Sequence, residues 1–366
     1  MKDQIQHLKI STPGRICLFG EHQDYLNLPV IPCAISLRIS IEGKRRNDSI
    51  VNLDLPDIKS TDEFSLDGSL AYVAERDYFK STLNVIRRAG FTFSNGFNCT
   101  VQGKIPINAG TSSSSALVVT WVNFLARISD QSVELLPEEI ARLAHQSEVV
   151  EFNEPGGMMD QYSTALGGVL FVEFHPKLIT QRLPTQLSFF VLGDSGEPKN
   201  TKFVLSHVKH QVLTITERIS RQHRKFSLQN VSTENIDWHL KIVNKEEGEL
   251  IRGTIHNRDI TREALGLFLQ PKFDERKFGE LLNDHQSILR DVLCISTPKI
   301  NRMLEAALNA GAYGGKINGS GGGGCMFAYA PENPEIVAEA INRVGGIAYI
   351  VHIDSGTRVE QQEMMK

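Results

Sequence analysis

Apolar residues recur at every second position in two stretches of the first hundred residues. Ile35, Leu37, Ile39 and Ile41 alternate with polar neighbours, as do Phe97, Cys99 and Val101. A period of two belongs to a strand with one buried face. From residue 78 the spacing changes and predicts a helix over 78–89, which Gly90 stops. A second helix is predicted from Ser114 to about 127. A third has Pro137 in its first turn and turns Ile140, Leu143 and Ala144 inward. Apolar runs at 169–174 and 189–192 read as strands. Beyond Asp194-Ser195-Gly196 the chain is polar and helical from 203 to about 269. Helices are then predicted over 278–293 and 298–310, a strand over 326–329, a helix over 335–343 and a strand over 347–353. Helices and strands that do not alternate regularly predict an α+β fold. The best boundary lies near residue 195, dividing the chain into 1–194 and 195–366.

Composition limits the function classes. The chain has 366 residues, 41% of them hydrophobic, enough for two packed domains and a substantial core. With 39 Lys+Arg against 43 Asp+Glu, no basic excess points to nucleic acid. The opening Met1–Ile10 is polar, and no apolar run approaches the roughly 20 residues that span a bilayer. Cys17, Cys33, Cys99, Cys294 and Cys325 form an odd set with no Cys-x-x-Cys pair. That favours a reducing compartment, and the expectation is a cytoplasmic protein without a membrane partner. A sequon, Asn318-Gly319-Ser320, lies in a glycine run where a glycan would be sterically awkward.

Four segments can carry chemistry. From Lys104 to Ala116, a loop of small residues containing Gly110, Ser112, Ser113, Ser114 and Ser115 leads straight into an apolar helix. Small side chains admit close backbone approach, and free N–H groups at a helix start attract an anion. The hydroxyls suit phosphate oxygens, and one can reach a magnesium ion. The plain alternative is a serine-rich helix cap, although four serines exceed what one cap uses. The loop lacks the Gly-Lys-Ser/Thr of a Walker A motif. In the second segment an apolar strand ends at Gly20, followed by Glu21, His22 and Asp24. Such groups can pair with vicinal hydroxyls of a polyol, or simply form a solvated turn. In the third, Glu148 comes late on a predicted helix, and Asp160 follows Gly156-Gly157 among apolar residues. One carboxylate can take or orient a hydroxyl proton and the other can hold magnesium; alternatively these are one surface acid and one turn residue. The fourth is the run Gly319–Gly324, containing Gly321 and Gly322. It reads as a second close approach to a ligand or as a flexible hairpin.

Together these segments resemble the GHMP small-molecule kinases, and among them the galactokinases most. Pro13-Gly14-Arg15 through Gly20-Glu21-His22-Gln23-Asp24-Tyr25 looks like the galactokinase signature. Pro106–Ala116 looks like the phosphate loop, Gly319–Cys325 like the glycine-rich third motif, and Leu281–His285 through Ser296-Thr297-Pro298 like the helices before it. The resemblance implies a domain like the second domain of ribosomal protein S5, followed by a ferredoxin-like domain, with the site in the cleft. It implies ATP and Mg²⁺ as cofactors, a sugar as partner, and a monomer or homodimer. By residue, Asp160 matches the catalytic Asp and Arg15 the arginine beside it. Glu148, twelve positions before Asp160 as in galactokinases, and Ser114 match the magnesium ligands. Glu21, His22, Asp24 and Gly157 match sugar contacts, and Gly110, Ser112–Ser115, Gly321 and Gly322 match the nucleotide site. The implied activity is a sugar-1-kinase for galactose or a relative. Glucuronate, a heptose, fucose or mevalonate as acceptor, and a non-catalytic sugar/ATP sensor, are the alternatives. The chain departs from the pattern at Gln23 (usually Thr), Cys17 (usually Asn) and Thr111 (usually Leu). Gly193–Lys199 lacks the tyrosine that touches the sugar.

Overall fold

The computed structural model describes residues 5–184, 186–198 and 201–364. Met1–Gln4 and Lys199, both used above, lie outside them. In chain order, strands β1 (Ile5–Phe19), β2 (Ile31–Arg45), β3 (Ile50–Leu55) and β4 (Ser60–Ser65) precede helix α1 (Tyr78–Arg88) and β5 (Phe97–Gly103). Helices α2 (Ser113–Ile128), α3 (Pro137–His145) and α4 (Met159–Leu166) follow, with a single π-helical turn, Gln146–Val150, between the last two. Next come β6 (Leu170–Glu173), β7 (Ile179–Arg182), β8 (Phe189–Asp194), α5 (Thr201–Gln222), α6 (Ile236–His239), α7 (Lys245–Phe268), α8 (Glu275–Asp291) and α9 (Pro298–Asn309). The chain closes with β9 (Gly314–Ile317), β10 (Cys325–Tyr329), α10 (Pro334–Arg343), β11 (Ile347–His352) and β12 (Arg358–Met364).

Two sheets organise the chain: β12-β1-β2-β5-β3-β4 and β11-β8-β10-β9, with a small β6-β7 pair beside them. Together with the helices they make the fold α+β. In β5 the sequence alternation is reproduced: Phe97, Cys99 and Val101 are buried and Asn98, Thr100 and Gln102 are exposed. α2 is apolar on nearly every side because it runs through the first core, where Trp121 stacks on Phe124 and both meet Phe97 edge-on. α8 and α9 cover the second sheet and flank cores around Phe278 and Met303. α5, α6 and α7 build a helical lobe whose core includes Leu26 and Leu28, just after the predicted polar turn.

Sheet membership does not follow one cut in the chain. β8, which ends at Asp194, belongs to the second sheet, and β12 returns to pair antiparallel with β1, Ile5 opposite Met364. No helix among the described residues is long and apolar enough to cross a membrane.

Candidate active site

One open cleft gathers most of the chemistry found in the sequence. Its walls include Arg15, Glu21, His22, Asp24, Gly110, the four serines 112–115, Glu148, Gly157 and Asp160. From the second half come Leu205, Gly319 and Ser320. Gly321 and Gly322 are close by but turned elsewhere: a Cβ on Gly321 would meet Ile295 at 2.6 Å, and the Gly322 N–H donates to Ile295 O.

β1 delivers Arg15 to the floor of the cleft. Its Nε donates to Asp160 Oδ1 at 2.8 Å, its Nη2 is ion-paired with the same oxygen at 2.7 Å, and its Nη1 donates to Gly110 O at 2.5 Å. One buried guanidinium therefore fixes both the acid and the serine loop. Asp160 is in the first turn of α4 and is 30% exposed, with Oδ2 left for another donor.

The serine loop turns sharply before α2. Asn108, Gly110 and Ser112 all have positive φ, 56°, 91° and 59°. The left-handed Ser112 aims the first turn of α2 at the cleft, where its N–H groups are free to meet an anion. The Ser112 Oγ is buried without a hydrogen-bond partner. Ser114 and Ser115 donate to Glu148, and the Gln161 amide reaches Glu148 Oε2 at 2.7 Å. Burial holds the Glu148 carboxyl above its usual range, and these donors partly offset that effect. The π-helical turn carrying Glu148 sets it facing α2; a regular 3.6-residue period does not predict that turn.

The polar turn after β1 is ordered, not solvated. His22 adopts φ 62°, with Nε2 2.9 Å from Ser320 O and Nδ1 2.6 Å from the Tyr25 hydroxyl. A carbonyl only accepts, so Nε2 donates to it. Asp24 accepts from the backbone N–H groups of Tyr25 and Met159, at 2.8 and 3.4 Å. Its carboxyl is pushed up to about 6, by burial first and by the neighbouring charge of Asp160 second. Gly157 is glycine because a Cβ there would lie 2.1 Å from Asp24 Oδ2.

The two small-residue turns meet. A Cβ on Gly319 would lie 2.8 Å from Gly110 O, and Asn318 Nδ2 donates to that same carbonyl at 2.8 Å. The glycine run is an ordered turn: Gly319 and Gly321–Gly324 all have positive φ, which only glycine adopts at no steric cost. Asn318 is fully buried, so the sequon offers no acceptor for a glycan. Two of the departures lie behind the cleft. Gln23 donates to Thr254 O on α7, and Cys17 is buried with its N–H on Asn318 Oδ1. Thr111 accepts from the Arg15 N–H. In the altered loop Ser195 donates to Gly324 O, and Glu197 accepts from Thr297 at 2.5 Å, so its described part packs on the glycine turn.

Sequence reasoning missed Lys316, Asn318, Ser320 and Gln161. The available signal was a lysine and an asparagine inside an otherwise apolar strand and glycine stretch. A buried charge implies a specific partner.

Comparison with known proteins identifies the family. Residues 77–168 match the GHMP kinases N terminal domain, 264–347 the GHMP kinases C terminal domain, and 4–45 the galactokinase galactose-binding signature. The mevalonate kinase of Thermococcus onnurineus is 31% identical over 96% of this chain and 98% of its own. The galactokinase of Actinobacillus succinogenes is 27% identical over 93% and 91%. The crystal structure of Lactococcus lactis galactokinase complexed with galactose superposes with a TM-score of 0.84 at 24% identity, covering 96% and 95% of the two chains. With matches to both domains and a relative of this identity along nearly its whole length, the chain belongs to the GHMP kinases, ATP-dependent phosphotransferases that act on an alcohol group.

Proposed function

We propose that this kinase transfers the γ-phosphoryl group of ATP to the anomeric hydroxyl of galactose or a closely related neutral sugar. The observation that carries the reading is the galactose-binding signature at 4–45, whose Glu21, His22 and Asp24 line the same cleft as Asp160. Charge supports it. Both arginines among the described residues lining the cleft are committed, Arg15 to Asp160 and Arg76 to Glu154. A sugar brings hydroxyls to donate to Glu21 and Asp24. Mevalonate or glucuronate would bring a carboxylate against an acidic wall in which neither described lining arginine is uncommitted.

In this reading the first turn of α2 and the serine hydroxyls hold the phosphates. Asp160 Oδ2 accepts the hydrogen bond of the acceptor hydroxyl and takes its proton as the new P–O bond forms. The bond from the γ-phosphorus to its bridging oxygen breaks, and ADP leaves. Arg15 keeps the aspartate in register. Glu148 and Ser114 are oxygen donors beside the phosphate end, a set that suits magnesium completed by phosphate and water; bound there, the ion would neutralise charge on the transferring group. We assign acceptor and phosphate binding to 1–194 and closure of the cleft to 195–366. No disulfide links the five cysteines, and we propose a cytoplasmic enzyme.

The mevalonate kinase relative favours a second reading, mevalonate as the acceptor. An ADP-release assay over galactose, glucuronate, heptoses, fucose and mevalonate, with the product examined by phosphorus NMR, separates the two. The expected product is an anomeric sugar phosphate. Preference for mevalonate would overturn the reading, and tight sugar binding without ADP release would indicate a sensor.

A further inference from the structure

Lys316 is a fully buried ammonium at the junction of the two sheets. It belongs to β9, and its Nζ lies 2.8 Å from each of three acceptors: Ile317 O, Cys17 O and Glu21 Oε2. An ammonium has three donors, so all three are used. Two of the acceptors belong to β1 and the turn that follows it. The Glu21 side chain is 3% exposed, and Asn257 donates to its backbone carbonyl at 3.0 Å. Glu21 is thus held at both its main chain and one carboxylate oxygen. The other oxygen, Oε1, has no partner among the described residues, and Glu21 lines the cleft. Its neighbours there include the acids Asp24 and Asp160, and the Arg15 charge that also reaches it is paired to Asp160. A third carboxylate so deeply buried needs a cation of its own. His285 nearby does not provide one: burial first, and the Lys316 charge second, hold its imidazole well below the usual range.

We propose that Lys316 is a positioning residue for the acceptor: it pins Glu21 Oε2 so that Oε1 faces a sugar hydroxyl and accepts its hydrogen bond. The role rests on the sugar reading above. It assigns acceptor recognition in part to the second half of the chain, three residues before the glycine turn that meets the serine loop.

The test is a double-mutant cycle with Lys316→Met, Glu21→Gln and the combined variant, each checked for a cooperative melt. Galactose binding is measured by calorimetry, and KM for galactose and for ATP by ADP release. A charged hydrogen bond contributes enough that each single change should raise the galactose KM about 10- to 100-fold. The ATP KM should stay within about threefold of wild type, because neither residue meets the phosphate loop directly. Lys316→Met should cost little more in the Glu21→Gln background. The combined variant buries no unpaired charge, so it keeps the test open if Lys316→Met alone does not fold. Additive losses, or equal losses for ATP and galactose, would overturn the role. Wild-type protein that neither binds nor phosphorylates galactose would instead remove the sugar reading, and this role with it.

Discussion

At the scale of single residues, the cleft is a set of acids placed close together and told apart by their partners. Asp160 has Arg15 on one oxygen. Asp160→Asn keeps the shape and loses the charge, so turnover should fall by about 10²- to 10⁴-fold. Nucleotide affinity, measured by calorimetry, should be retained; wild-type turnover would dismiss Asp160 as the group facing the acceptor. Asp24 is the strained member, its carboxyl pushed up to about 6 from 3.8. Between these values the folded protein holds a proton that the unfolded chain has lost. Stability therefore falls as pH rises through that window, and the deficit persists above it. Asp24→Asn removes the deficit. It should melt higher than wild type at pH 7, by at most about 3 kcal/mol, and the gain should fade as pH drops toward about 4. Thermal melts across that range check it, and a gain that grew toward low pH would contradict the assignment. The same variant should bind acceptor more weakly, since the strain belongs to a contact the sugar uses.

At the scale of elements, most functional side chains sit where a regular element begins or ends: Glu21 just after β1, the serines at the start of α2, Asp160 in the first turn of α4, while Arg15 lies within β1. Termini are where local sequence signals are strongest, so these were legible as a glycine after a strand and as small residues before an apolar helix. β4, β7 and β12 were not legible, because much of their length is exposed and no clean alternation marks them, whereas β3 does alternate, with Val51 and Leu53 buried and each followed by a polar residue, and was overlooked. β9 was hidden by its composition, Gly-Gly-Lys-Ile, in which the buried lysine reads as surface. The turn carrying Glu148 departs from helical period, so its facing toward α2 followed only from the resemblance. The pairing of Glu148 with the start of α2 gives a prediction at this scale. Ser114→Ala removes one donor from that pair and a candidate magnesium contact, and should raise the ATP-magnesium requirement by about tenfold with a small change in acceptor KM. Kinetics at varied magnesium measure it; an unchanged requirement would count against Ser114 as a ligand.

At the scale of the whole molecule, the order of the motifs was readable but the return of the chain was not. Nothing in a short polar stretch near residue 360 says that it pairs with the first strand. β12 contacts only the first half of β1, from Ile5 to Ser11, whereas Arg15 and the turn after it are held by β2, Asp160 and β9. Removing residues 358–366 should therefore lower the melting midpoint, on the order of 5 °C or more, while kcat at 25 °C stays near wild type. An unchanged midpoint would mean that the pairing contributes no stability. The same ladder sets Ile5 beside Met364, so the described chain comes close to a ring, these two residues being one interstrand spacing of roughly 5 Å apart. Closing it with a short peptide and opening it in the exposed stretch 270–272, between α7 and α8, would leave every strand intact. In such a permutant the ribosome would make the glycine turn before the arginine that it helps to seat, separating the sequence of synthesis from the architecture that binds.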